Sequence, residues 1–109
     1  MVIMKCLTIL YPNNPDVKFD FDYYKNHHMP LIMSLFGTLI KRIELRKGVM
    51  SPTSDKLPYV ATLNIWFEDE KAFMEGDAKH RATLFPDVKN YTNVIPIIQQ
   101  DDVFAVTTT

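Results

Sequence analysis

Two segments of this chain, residues 2–11 (VIMKCLTILY) and 59–67 (YVATLNIWF), put apolar side chains at both odd and even positions. In a β-strand successive side chains point to opposite faces, so a segment of this kind asks for cover on both sides of its sheet. Ile3, Leu7 and Ile9 share one face of the first segment, with Met4, Cys6 and Leu10 on the other. In the second, Tyr59, Leu63, Ile65 and Phe67 alternate with a register that also holds Val60 and Trp66. Only two further stretches read as helices able to supply that cover. One opens at Asp20, a good N-cap, and carries Phe21, Tyr24, His28, Leu31 and Leu35 at spacings of three and four before Gly37 ends it. Pro30 lies inside this pattern and predicts a kink near residues 26–29, because proline removes a backbone donor. The other opens at Asp69 and runs through about Phe85, with Phe73, Gly76, His80 and Leu84 along one stripe.

Residues 38–49 read as a strand whose charges, Lys41 to Lys47, suit an exposed edge. Residues 50–58 form a polar, proline-bounded loop, and residues 94–106 a last strand that Pro96 assigns to an edge or a bulge. The order is therefore β-α-β-β-α-β, an α+β, ferredoxin-like arrangement with a four-stranded antiparallel sheet. The 109 residues suit a single domain spanning 1–109. Two helices cover one face of such a sheet, and no element remains for the other. A second copy of the chain is the simplest cover, so a homodimer is predicted. A domain this small buries only about two-thirds of its unfolded surface, and 7 Phe, 5 Tyr and 1 Trp give it much apolar area to hide.

Composition excludes several functions. No apolar run approaches the roughly 18–20 residues that span a bilayer, and MVIMKCLTIL lacks the basic region and cleavage site of a secretory leader. The lone Cys6 cannot form an internal disulfide, which suits the cytoplasm. A net charge of −1 leaves no basic field, so neither nucleic acid nor membrane is an expected partner. The Lys41–Lys47 cluster is interrupted by Glu44, and strand 59–67 lacks the glycine and paired aromatics of an RNA-binding sheet. With 3 glycines and no phosphate loop, Gly-x-Ser-x-Gly or paired cysteines, no cofactor is expected.

His28 is the sharpest candidate for chemistry. It lies four residues after Tyr24, on the buried stripe, where a neutral imidazole can accept or donate a proton near pH 7. The competing reading is a core histidine held by one hydrogen bond. His27 diverges from it by about 100° around the helix, and neither histidine has a ligand-type residue at i+4, so no metal is expected. Tyr11, Asn13, Tyr24, Asn64 and Tyr91 are candidate hydrogen-bonding groups for a substrate oxygen. Tyr11 closes the first strand and Tyr91 precedes the last, which are neighbours in a ferredoxin-like sheet.

Two runs resemble a known family. Tyr11-Pro12-Asn13, Phe19-Asp20-Phe21-Asp22-Tyr23-Tyr24 and His28-Met29-Pro30-Leu31, followed by Asn90-Tyr91-Thr92, Pro96 and Gln99, are similar to the signature of the EthD family. That family is named for a protein encoded with an ethyl tert-butyl ether degradation system and belongs to the dimeric α+β barrels. The resemblance covers nearly the whole chain; Asn26-His27 ahead of His28 is a departure from it. It implies two ferredoxin-like subunits pairing their sheets, each with a pocket, and a role around oxidative catabolism or polyketide-type chemistry. The expected function is a cofactor-free enzyme in which His28 moves protons on a small apolar or aromatic oxygenated ligand. The alternative is a non-catalytic ligand-binding or accessory subunit of an oxidative degradation system.

Overall fold

The architecture is organised by its two longest strands. In the computed structural model, which describes residues 3–108, β1 (Lys5–Pro12) runs antiparallel to β3 (Tyr59–Phe67), with Leu7 opposite Ile65 and Ile9 opposite Leu63. Val2, expected to open the first strand, lies outside the described residues. The outer strands are β2 (Arg42–Lys47), on β3, and β4 (Ile97–Asp102), on β1, giving the order β2-β3-β1-β4 with every pairing antiparallel. This is the α+β, ferredoxin-like sheet that the sequence predicts. Both outer strands are shorter than expected. Pro96, without an N–H to give the ladder, sits just ahead of β4. Ahead of β2 the chain makes a 3-10 turn, Gly37–Leu39, entered through Gly37 at φ +56°, a conformation that favours glycine.

The first helix, α1, is built from three consecutive pieces: an α turn (Phe21–Tyr23), a π turn (Tyr24–His28) and an α segment (Met29–Phe36). Asp20 caps it as expected, its carboxylate accepting the Tyr23 N–H at 2.9 Å. The irregularity expected from Pro30 takes the form of that π turn, in which the Met29 N–H reaches back five residues to the Tyr24 carbonyl. A wider turn shifts the helical stripe by one position beyond it. The buried residues are accordingly Tyr24, His28, Ile32 and Phe36, while Leu31 and Leu35, expected on the stripe, are half-buried. The second helix, α2 (Glu70–Leu84), is capped by Asp69 through the Ala72 N–H and continues into a 3-10 segment, Phe85–Asn90.

Both helices pack on one face of the sheet. Phe73 of α2 stacks on Phe67 of β3 with ring centroids 3.9 Å apart. At Gly76 a Cβ would sit 3.2 Å from the Phe36 ring, so glycine permits the close approach of α2 to α1. The helix-facing side of the sheet is apolar, with Leu7, Ile9, Ile43, Leu45, Leu63 and Ile65 in register. The opposite side departs from the expectation of an apolar surface. Its rows read Arg42–Trp66–Cys6–Asp101 and Glu44–Asn64–Thr8–Gln99, a mosaic of polar and apolar groups. Strand alternation places Asn64, Thr62 and Thr8 there together with Trp66 and Leu10. Among the described residues no helix is long and apolar enough to cross a membrane.

Candidate functional site

Between the helices and the sheet lies a cavity of about 590 Å³, open at one side. Leu7, Ile9 and Leu63 from the sheet and Ile32, Phe36 and Phe73 from the helices make its walls apolar. Its polar groups are few: His28 and three tyrosines, Tyr11, Tyr24 and Tyr91, with Asp77 and Arg81 of α2. A cavity of this size, mostly apolar and carrying a few convergent polar groups, suits a small organic molecule.

His28 is set by its local backbone. The π turn and the stripe it opens bring the imidazole inward, where its ring lies 4.9 Å from that of Tyr24 and 4.7 Å from that of Tyr91. Its Nδ1 lies 2.8 Å from Oδ2 of Asp87, in the 3-10 segment after α2. The other carboxylate oxygen of Asp87 accepts the Tyr23 hydroxyl at 2.6 Å and the Asn90 amide at 3.0 Å. Burial pushes the Asp87 pKa upward, but the bonds from Tyr23, Asn90 and His28 outweigh that and hold it down at about 2. An ionised Asp87 accepts from Nδ1–H, which fixes the neutral tautomer with its lone pair on Nε2. Among the described residues Nε2 has no side-chain or backbone partner, and no buried side-chain nitrogen or oxygen is left enclosed and unpaired. With Nδ1 engaged, Nε2 is the ring nitrogen that His28, a cavity-lining residue, has left for a ligand.

The tyrosines form the other half of the polar cluster. Tyr11 and Tyr91 share a hydrogen bond of 3.0 Å between hydroxyls, and the Tyr24 ring stands edge-on to Tyr91 at 4.7 Å. Burial raises the pKa of all three, so each stays a protonated phenol across the ordinary pH range. Tyr91 is held by a clamp between two loops. The Asp20 N–H bonds to the Tyr91 carbonyl at 2.8 Å, and the Thr92 hydroxyl to the Lys18 carbonyl at 2.7 Å.

Four of the six residues singled out from sequence thus meet at one site: His28, Tyr11, Tyr24 and Tyr91. Asn13 is exposed, and its side-chain amide donates to the Leu57 carbonyl at 2.9 Å, tying the end of β1 to the 50–58 loop. Asn64 faces the other side of the sheet, its amide 3.6 Å from the Cys6 sulfur. Neither lines the cavity. His27 is exposed against the Tyr23 ring, and His80 packs edge-on to Phe36 rather than reaching His28. Among the described residues no group of three or more His, Cys, Asp or Glu side chains is placed to hold a metal. Asp87 is the functional residue that sequence reasoning missed.

Fold and cavity together define the class: a ferredoxin-like α+β protein with an apolar cavity between its helices and its sheet. Within that class the chain belongs to the EthD family, whose EthD domain matches residues 16–94. An EthD-like protein from Ralstonia eutropha JMP134 superposes with a TM-score of 0.90 at 25% identity, covering 99% of this chain and 98% of that one. An ethyl tert-butyl ether degradation (EthD) family protein from Bacillus halodurans C-125 gives a TM-score of 0.58 at 17% identity, over 86% of this chain and 96% of that one. HapK from Hahella chejuensis gives 0.54 at 15% identity, over 94% and 98% of the two chains. The last two likenesses are of fold alone. Comparison with curated proteins gives no match.

Proposed function

We propose that this protein is a homodimeric, cofactor-free enzyme of the cytoplasm that moves a proton on a small oxygenated organic substrate, in oxidative catabolism or polyketide-like metabolism. The observation that carries this reading is the His28–Asp87 pair, with His28 lining an apolar cavity. Asp87 orients the ring and holds the proton on Nδ1, as a positioning residue rather than one that touches substrate. The base abstracts a proton next to, or on, the oxygenated group of the ligand. The oxygen that gains charge needs a donor. The hydroxyls of Tyr11, Tyr24 and Tyr91 share hydrogen bonds centred on Tyr11, and two such bonds use two of their three protons, so one is left to point at the ligand. Their raised pKa values keep that proton in place. The apolar walls exclude water and strengthen both interactions.

The test needs no knowledge of the natural substrate. In deuterated buffer the wild-type protein should accelerate deuterium incorporation into an enolisable aromatic ketone such as tetralone. His28→Gln should lose about 10²–10⁴ of that rate, the usual worth of a positioned acid–base group. A protein that binds the ketone without exchanging deuterium would be a binding or accessory subunit, and the enzymatic reading would fall.

A further inference from the structure

We propose that Arg81, at the open side of the cavity, anchors an anionic end of the ligand, so that the natural ligand is an amphipathic organic acid. This inference rests on the cavity being a ligand site. Beyond the His28–tyrosine cluster, the cavity wall carries two charged side chains, Asp77 and Arg81, one helical turn apart on α2. They form an i,i+4 pair through a single guanidinium nitrogen, Nη2, at 3.0 Å. Arginine has five N–H donors in a planar fork, so most of that fork is unspent and matches the oxygens of a carboxylate or sulfonate.

The two ends of the cavity differ in what charge they accept. At the His28 end, the Asp87 carboxylate would repel an anion, while an imidazole lone pair and a phenol proton suit a neutral ketone or alcohol. At the open side, Arg81 is the exposed member of its pair, with 68% of its side chain accessible against 32% for Asp77, so its guanidinium is free to turn toward a ligand. The surrounding Phe85, Met74 and Ile95 also line the cavity and are left exposed. The apolar body of an amphipathic acid would cover them, and that cover would strengthen the charged contact by excluding water.

Two fluorescent probes that share an anilinonaphthalene skeleton separate the possibilities. Phenylnaphthylamine is neutral, and anilinonaphthalene sulfonate adds one anion. The wild-type protein should bind both. Arg81→Gln should weaken the sulfonate about tenfold, the worth of a charge-assisted hydrogen bond to a charged ligand, with the neutral probe changed less than about twofold. Asp77→Asn, which frees the guanidinium, should tighten the sulfonate alone. An unchanged ratio of the two affinities in Arg81→Gln overturns the anionic anchor while leaving the cavity as a ligand site. Failure of the wild-type protein to bind the neutral probe overturns both readings together.

Discussion

A buried imidazole held by a carboxylate is a different object from a buried imidazole alone, and Asp87 makes that difference. It accepts from His28, Tyr23 and Asn90 at once, and its pKa falls from an ordinary 3.8 to about 2. A group whose pKa is lowered by folding stabilises the fold at any pH above its unfolded value. That contribution is lost as pH falls through the folded value. The stability advantage of wild type over Asp87→Asn should therefore hold from neutral pH down to about pH 4, then shrink as pH approaches 2. Urea midpoints of both proteins across that range measure it; a difference independent of pH would mean that the carboxylate's charge is not what the site uses. Asp87 was not legible in the sequence because it is 59 residues from His28, and a lone aspartate after a proline carries no spacing signal. Asn64 was legible. It has the parity of Val60 and Trp66, opposite to Leu63 and Ile65, so period-2 counting alone sets it on the other face from His28.

At the scale of the elements, a single irregularity positions His28. Pro30 marked the right place in α1, and the adjoining Tyr24–His28 segment is a π turn. A one-residue surplus in a helix is what such a turn accommodates, and π turns concentrate at functional sites. That surplus is already taken up, so inserting one more residue, an alanine after the exposed Asn26, should rotate the residues on one side of the turn by about 100° against those on the other. His28 would then lose either its place between Tyr24 and Tyr91 or its bond to Asp87. The expected outcome is a folded protein, destabilised by about 2–4 kcal/mol, whose deuterium exchange falls as far as that of His28→Gln. Retention of exchange after the insertion would show that the turn does not place the base. Strand order, caps and the α2 stripe were readable because each rests on local periodicity or on an N-cap. The shift from Leu31 and Leu35 to Ile32 and Phe36 was not, because periodicity assumes a uniform turn.

At the scale of the molecule, the sheet has one face under the helices and one that no helix covers among the described residues. Apolar alternation in the sequence calls for a second copy, yet the open face is a mosaic of polar and apolar groups, of the kind that protein interfaces use. Trp66 sits in its middle strands with the Arg42 guanidinium 5.4 Å from its ring centroid, and Arg42 and Arg46 both pair with Glu44. Tryptophan and arginine dominate the energetics of interfaces more than aliphatic area does. A homodimer closed through this face should bury about 2,000 Å² or more and leave the cavity, on the opposite side of the sheet, open to ligand. Trp66→Asp places a bare carboxylate at the centre of that contact and should weaken dimerisation by at least about 100-fold, from the roughly 3 kcal/mol such a residue carries. Sedimentation at micromolar concentration should then show monomer for the variant and dimer for wild type. Phenylnaphthylamine binding should survive in both, since Trp66 and His28 lie on opposite faces. Asn64→Arg, a change at a polar and likewise half-buried position on the same face, serves as the second variant. If both variants sediment as the wild type does, the open face is not where two copies meet. If the probe dissociates along with the dimer, each cavity depends on the partner subunit, and the site is a property of the pair rather than of one chain.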